Sequence, residues 1–408
     1  MEAAINAGDT AWILVCCSLV LLMTPALAFF YGGMVRRKNI LSTLTLSYIF
    51  MALIGVQWVL YGYSLAFGPD IGGFIGGLDF IGLDGVSGAP SPDYGPTIPH
   101  SLFAAYQMMF AVITPALITG AFVERVRFKS FLLFSLVWAT VVYDPLCHWV
   151  WAKGGWLGQM GLLDFAGGTV VHIAAGFSAL AFAMVIGQRK GFGKFTMEPH
   201  SIPLTVLGTG LLWVGWFGFN AGSALAANGV AVNALLTTNS SAAMAGLVWM
   251  VLSWLDGRPS TLGISTGMVV GLAAVTPAAG FVTPLSALVI GAVAAPLSYY
   301  AIRFRDKRGL DESLDVWACH GIASTWGMVA TGLFATTAVN KAGANGLFNG
   351  NPGQVGVQLL GIVVTMAFSF GVTFLVAKLL DWSIGLRVTP MEEEVGLDIS
   401  AHGERAYS

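Results

Sequence analysis

The chain has 408 residues, of which 56% are hydrophobic and only 10% charged, with a formal net charge of −2. About a quarter of residues are charged in an average soluble protein, so this composition excludes an ordinary soluble protein of two or three domains. One bundle of apolar helices in a lipid bilayer is expected instead, and nucleic acid is not among the expected partners.

A membrane span needs roughly 20 mostly apolar residues. Such runs, broken by Gly, Pro or charge, lie near residues 10–33, 40–67, 100–123, 130–150, 166–187 and 201–221, then near 230–254, 261–280, 283–302, 314–337 and 355–380. The first run precedes Ala26-Leu27-Ala28, which resembles a leader cleavage site, but the segment before it carries Glu2 and Asp9 and no Lys or Arg. That charge is wrong for a secretory leader, so the run reads as a retained span. Cys16, Cys17, Cys147 and Cys319 lie in or beside spans without metal-ligand spacing and read as small packing residues.

Eleven spans put the termini on opposite sides of the membrane. Loops on the cytoplasmic side collect Lys and Arg, and here the basic residues alternate. Arg36, Arg37 and Lys38 follow the first span, Arg125, Arg127 and Lys129 the third, and Arg189, Lys190 and Lys194 the fifth. Arg258 follows the seventh and Arg303, Arg305, Lys307 and Arg308 the ninth, while the opposite side holds only Lys153 and Lys341. The expected fold is therefore an all-α polytopic membrane protein with the N-terminus outside and the C-terminus inside. Residues 1–380 form its transmembrane domain and 381–408 a polar cytoplasmic tail. The long connection 68–99, rich in Gly, Pro and Asp and free of Lys and Arg, reads as an external loop, as does 340–353. Gly263, Gly267 and Gly271 form a stripe of the kind that lets helices approach closely.

Two histidines stand inside otherwise apolar spans: His172 in the fifth and His320 in the tenth. An ionisable side chain at such depth usually faces a cavity and marks a pathway, against the plainer reading of a packed, hydrogen-bonded residue. Histidine exists in both protonation states near neutral pH, and a neutral pair can share a hydrogen bond, relaying a proton or guiding a polar solute. Asp164 precedes His172 by eight residues and Asp315 precedes His320 by five, a faint sign of two inverted five-span halves followed by an eleventh helix. Each histidine lies roughly 10 Å from the start of its own helix, and those helices start from opposite faces, so contact requires tilt or longer spans.

Asp164 reads either as a cap for the free amides near Gly167 and Gly168 or as a negative charge favouring a cation nearby. Tyr106, Phe110, Trp149, Trp151, Trp156, Trp216 and Phe219 gather at outer span ends, where an aromatic belt competes with cation binding by ring faces. The segment Trp216-Phe217-Gly218-Phe219-Asn220-Ala221-Gly222-Ser223 adds a carboxamide and a hydroxyl to the rings. Asp144 and His148 share one helix face, but without a third ligand they read as local structure rather than a metal or proton site.

Several stretches together resemble the Amt/Mep/Rh ammonium transporter superfamily, specifically its Amt branch. They are Phe30-Tyr31-Gly32-Gly33, Gly120-Ala121-Phe122-Val123-Glu124-Arg125, Asp164 to His172, Trp216 to Ser223, and Asp315-Val316-Trp317-Ala318-Cys319-His320-Gly321. The resemblance covers nearly the whole chain. It implies eleven helices in inverted repeats, a homotrimer with one pore per subunit, a multi-pass location in the plasma or inner membrane, no cofactor and no enzymatic activity. Phe110, Trp151 and Ser223, with Tyr106 beside them, match the family's outer ammonium site. Phe110 and Phe219 match its paired gating rings, and His172 and His320 its twin pore histidines, with Trp216 also lining the pore. Asp164 matches the family's nearby carboxylate, and Asp315 is expected to have a comparable structural or charge role. Tyr106 departs from the phenylalanine of many relatives.

The tail resembles the family's regulatory C-terminus in Gly385-Leu386-Arg387-Val388, in Glu392 to Glu394, in Gly396-Leu397-Asp398 and in His402-Gly403-Glu404. That implies contact between subunits and a PII-type regulatory protein as partner. The function expected is recruitment of ammonium, and of methylammonium with it, followed by loss of a proton near Phe110 and Phe219 and passage of neutral ammonia along the histidines. Two competing readings are an ammonium sensor acting through the tail and a haem protein with His172 and His320 as axial ligands.

Overall fold

In the computed structural model residues 5–407 are described; Glu2, part of the acidic start, lies outside them. Helix α1 is Ala7–Met34, α2 Arg37–Phe67, α3 His100–Ala121 and α5 Gly168–Ile186. Between the last two, α4 is built from Phe128–Trp138, a π turn Ala139–Tyr143 and Asp144–Trp151. Helices α6 (Ile202–Gly222), α7 (Gly229–Leu255), α8 (Thr261–Val275) and α9 (Pro284–Lys307) follow. Helix α10 joins a π turn Trp317–Ile322 to Ala323–Phe334, and α11 is Gly353–Ile384. The tail adds two single-turn helices, α12 (Pro390–Val395) and α13 (Leu397–His402).

Among the described residues, nine helices are long and apolar enough to cross a bilayer, and α8 is a shorter apolar helix of 15 residues. The sequence places α8 to residue 280, but it ends at Val275. Pro277 has no amide hydrogen to continue the ladder, and its ring crowds the preceding turn. Helix α10 likewise begins after the expected 314, because Asp315 sits at φ 62°, a left-handed conformation no α-helix contains. Helix α11 runs past the expected boundary at 380 to Ile384, where Gly385 at φ 72° ends it.

Close approach by small residues sets the packing. Helix α1 lies along α6, and a Cβ on Gly208 would stand 2.3 Å from the Phe30 amide nitrogen. The expected glycine stripe on α8 meets α7, where a Cβ on Gly271 would stand 2.5 Å from the Ser241 carbonyl oxygen. At the centre α5 crosses α10, and a Cβ on Gly176 would lie 2.4 Å from the Gly321 amide nitrogen. Gly176 is one helical turn beyond His172 and Gly321 directly follows His320, so this crossing brings the two histidines together.

The basic loops share one end of the bundle, tied by charge. Glu124, 1% exposed and at φ 73°, binds Arg36 at 2.9 Å and Arg189 at 2.8 Å, and accepts from the Asn39 carboxamide at 2.9 Å. Burial acts to raise its pKa, but Arg189 and Arg36 outweigh burial and hold the carboxyl below the usual range. Arg125 is wholly buried and donates to the carbonyls of Gly187 (2.9 Å), Ala121 (3.1 Å) and Asp311 (2.6 Å) and to the Ser313 hydroxyl (2.6 Å). Burial lowers its pKa to about 10, which leaves it charged at neutral pH.

The tail lies across this end. The Arg127 amide donates to the Leu386 carbonyl at 2.8 Å and the Val388 amide to the Arg125 carbonyl at 3.0 Å. Asp398 accepts from the Ser42 amide at 2.9 Å, and Lys190 reaches Glu394 at 2.6 Å.

Gly176→Ala tests the central crossing. Forcing a methyl between two backbones should cost about 1–3 kcal/mol of stability, read as a lower Tm of the detergent-solubilised protein. An unchanged Tm would show that the crossing has slack.

Candidate functional site

The site is assembled from α3, α4, α5, α6 and α10 and runs from the end that carries the 68–99 loop towards the bundle centre. Its first fixed point is the start of α5. Asp164 Oδ1 accepts from the amides of Gly167 (2.9 Å) and Gly168 (2.6 Å), and Oδ2 from the amide of Thr169 (2.7 Å) and from its hydroxyl. Gly167 supports this turn at φ 110°, and Gly168 presses on Pro277, where a Cβ would stand 2.5 Å from the ring. The carboxylate is thus fully engaged in capping, which is the plainer of its two readings. It also places an aromatic, because the Trp151 indole donates to the Asp164 carbonyl at 3.0 Å.

Trp151 faces Phe110 edge-on, with ring centroids 6.0 Å apart at 86°. Both line a cavity of about 180 Å³ with Ser223 and Gln107. The Ser223 hydroxyl donates to the Phe219 carbonyl at 2.9 Å, so its proton points back into α6 and its oxygen lone pairs remain for a ligand. Gln107 is a feature the sequence reading missed. Its Oε1 is buried without a hydrogen-bond partner, and the signal available was its spacing of three from Phe110 on one helix face. Tyr106 stands behind this layer: its hydroxyl lies 2.9 Å from the carbonyl oxygens of both Gly218 and Phe219, and 3.4 Å from the Ser223 oxygen. It steadies the end of α6 and does not line the cavity.

Below the cavity, Phe110 and Phe219 overlap with centroids 4.2 Å apart at 35° and close the way inward. Beneath them lies a cavity of about 10 Å³ lined by Trp216, Phe219, His172 and His320 among aliphatic side chains. That is about the space one water-sized molecule needs. A haem does not fit there, which removes the axial-ligand reading. His172 stacks on Trp216 (5.4 Å, 24°) and on His320 (5.2 Å, 18°). Trp216 is fixed by its indole, which donates to the Thr276 hydroxyl at 2.9 Å.

The separation expected from helix depth is therefore closed, but the shared hydrogen bond is not made. Both ring nitrogens of His172 and Nδ1 of His320 are buried without a partner. The ring planes lie within 18° of each other with centroids 5.2 Å apart, and neither nitrogen of His172 meets a nitrogen of His320 in a hydrogen bond. Both histidines sit in π turns, Gly168–Ile173 and Trp317–Ile322, which no composition signal announced and which recur at functional sites.

The remaining sequence candidates lie elsewhere. Asp315 pairs with Arg305 at 2.7 Å at the basic end and does not approach the pore. Asp144 accepts from the Gln57 carboxamide at 2.8 Å, while His148 bridges the Ala66 carbonyl and Asp70, each at 2.9 Å, so this pair pins α4 to α2 and the 68–99 loop. Among the described residues no cluster of three His, Cys, Asp or Glu side chains suits a metal ion.

Asp164→Ala should unravel the start of α5 and release Trp151. The loss of a cap accepting four hydrogen bonds is expected to reach about 2 kcal/mol, the upper end for N-caps. A lower Tm together with a red-shifted tryptophan emission would register it; a Tm within error of the parent would contradict it.

Comparison with known proteins agrees over the whole chain. A model of the Ammonium Transporter Family matches residues 11–407. Ammonium transporter Amt1 of Archaeoglobus fulgidus is 53% identical over 401 residues, covering 98% of this chain and 99% of its own. An ammonium transporter of Bacillus subtilis is 50% identical over 402 residues, with 98% of each chain covered. Among solved structures, Candida albicans Mep2 superposes with a TM-score of 0.91 at 37% identity, covering 99% of this chain and 91% of the other. A structure titled Sensor Amt Protein gives 0.89 at 28% identity, covering 97% and 98%. On this match of sequence, fold and length, the chain belongs to the ammonium transporter family.

Proposed function

We propose that the chain conducts ammonia through a hydrophobic pore after selecting and deprotonating ammonium at the aromatic mouth. The observation that carries this reading is the unbroken sequence of a mouth with Trp151 and Ser223, a closed pair of rings, and a neutral, water-sized chamber faced by two histidines. At the mouth, the faces of Trp151 and Phe110 attract a cation, and the oxygens of Ser223 and Gln107 accept N–H bonds, replacing part of the hydration shell. Potassium is attracted by ring faces too, but it has neither N–H donors nor a removable proton. Methylammonium has both.

Magnitudes favour passage of the neutral molecule. Moving an unpaired ion into an apolar interior costs tens of kcal/mol in the idealised limit. An alkylammonium with a pKa of about 10.4 gives up its proton at pH 7 for about 5 kcal/mol. The proton therefore passes to solvent water in the mouth, before Phe110 and Phe219, and ammonia passes His172 and His320, whose unpartnered nitrogens offer it hydrogen bonds. Tyr106 and Asp164 act by fixing the mouth, Trp216 by fixing the chamber, and Asp315 by charge pairing at the far end. No cofactor and no enzymatic step enters.

In the same reading the eleven helices all cross the membrane, the 68–99 loop lies outside, and the chain works as a homotrimer in the plasma or inner membrane. Residues 1–380 form the conducting domain, and 381–408 a cytoplasmic tail that docks on the basic loops and offers a surface to a PII-type regulatory protein. The sensor reading is not favoured. The relatives at 53% and 50% identity are named as transporters, while the structure titled as a sensor is 28% identical.

Purified protein in liposomes tests the proposal by ammonium-driven current and uptake, with potassium as the competing ion. Replacing both His172 and His320 by leucine should change flux at least tenfold, alter selectivity against potassium, or both. Unchanged flux and unchanged selectivity in that variant would defeat the assigned role.

A further inference from the structure

The mouth has a charged rim that neither gate nor chamber explains. Asp93 lines the cavity containing Trp151 and Ser223, and it also lines a larger adjoining cavity of about 420 Å³. Lys153, two residues beyond Trp151, lines that outer cavity. Its ammonium nitrogen lies 2.5 Å from Asp93 Oδ1, with the lysine side chain 70% and the aspartate side chain 33% exposed. Among the described residues this is the only partner of the Asp93 carboxylate, whose own backbone amide is held by the Ser91 hydroxyl at 3.3 Å. The local backbone does not depend on the pair, since the Lys153 amide is held separately by the Tyr94 hydroxyl at 3.1 Å.

The group seated on Asp93 is therefore an alkylammonium, with the same N–H donors and charge that ammonium and methylammonium present. An exposed ion pair of this kind is weak, about 0.2–1 kcal/mol, so a cation from solution can displace it. We propose that Asp93 is an initial capture site for ammonium at the rim of the mouth, and that Lys153 is its tethered competitor. Displacement of Lys153 hands the carboxylate to the incoming ion, which then moves on to Trp151 and Ser223. Tethering gives the lysine a high effective concentration at the carboxylate, and its charge also repels other cations from the mouth. Both effects act in one direction: the lysine weakens capture at low substrate concentration.

This inference rests on the mouth being the ammonium entrance, and the experiment separates the two. Initial ammonium uptake into proteoliposomes is measured across concentrations for the parent, Lys153→Gln, Asp93→Asn, the double variant and Trp151→Leu. Lys153→Gln should lower KM about two- to fivefold with maximal flux unchanged, the range set by the strength of an exposed pair. Asp93→Asn should raise KM by a similar factor. In the Asp93→Asn background, Lys153→Gln should have less than half its effect on log KM. Added impermeant salt should shrink all these differences by screening.

A KM unchanged or raised by Lys153→Gln, or an equal effect of that substitution in both backgrounds, overturns the inference. So does a loss of maximal flux at unchanged KM, the signature of a lysine that merely staples the loop. If Trp151→Leu leaves KM unchanged, the reading of the mouth itself fails. If it raises KM while Asp93→Asn does not, only the capture site fails.

Discussion

The crossing of α5 over α10 is the contact on which the rest of the molecule depends. Gly176 meets the backbone beside Gly321 with no side chain between, and only at that distance do His172 and His320 stack at 5.2 Å. The helices enter from opposite ends, so neither histidine is near its partner by virtue of its own helix alone. Each is carried inward on a π turn, whose extra residue shifts the register of everything before it. The Asp164 cap then fixes where α5 begins, and through the Trp151 indole it fixes the mouth as well. Cap, π turn and crossing thus form one chain of constraints from the aromatic rim to the buried rings.

The other end of the bundle obeys a different rule. There charge is abundant and every buried charge is matched: Glu124 between Arg36 and Arg189, Arg189 on Asp311, and Arg125 within a nest of carbonyls. Breaking a buried pair typically costs 3–5 kcal/mol, because the remaining ion is left without compensation. The tail joins this network by backbone pairing with 125–127 and by Asp398 on the start of α2, so the ends of α2, α3 and α5 and the tail position one another. Phe110 is on α3 and His172 on α5, which puts the overlapping rings and the histidine chamber on helices whose basic ends the same network holds.

Much of this was legible in the sequence, for identifiable reasons. Apolar runs located the nine helices that, among the described residues, are long and apolar enough to cross a bilayer, because unpaired polar groups are costly in hydrocarbon. Where edges failed, local backbone chemistry overrode hydropathy: Pro277 stopped α8 and Asp315 delayed α10. The site residues were legible as chemistry that is expensive in a membrane, but their arrangement was not. Contact between the histidines depends on a crossing that residue depth does not encode. The placing of His172 beside Trp216, which is itself held by Thr276, is likewise not encoded in residue depth. Tyr106 reads as part of the outer site from the family resemblance, whereas its hydroxyl is spent on α6 carbonyls. Gln107 escaped notice because an amide near a helix end is ordinary, and only its unpartnered oxygen inside the cavity distinguishes it.

Why histidine occupies the chamber follows from what the other polar side chains would do there. A carboxylate would hold a cation, and a lysine or arginine would bring a charge of its own, each at a cost of several kcal/mol without a partner. Asp144, a carboxylate buried within α4, has its partner in Gln57 and lies outside the chamber lining. A hydroxyl is too short to line a passage, and in a helix it tends to turn back onto its own carbonyls, as Thr114 does onto Phe110. An imidazole can remain neutral and still present a donor and an acceptor on opposite edges of a flat ring. Two such rings, nearly parallel with centroids 5.2 Å apart, bring polar nitrogens and apolar ring carbons into one small chamber. The chamber is in that way lined by apolar side chains and still holds ring nitrogens able to exchange hydrogen bonds.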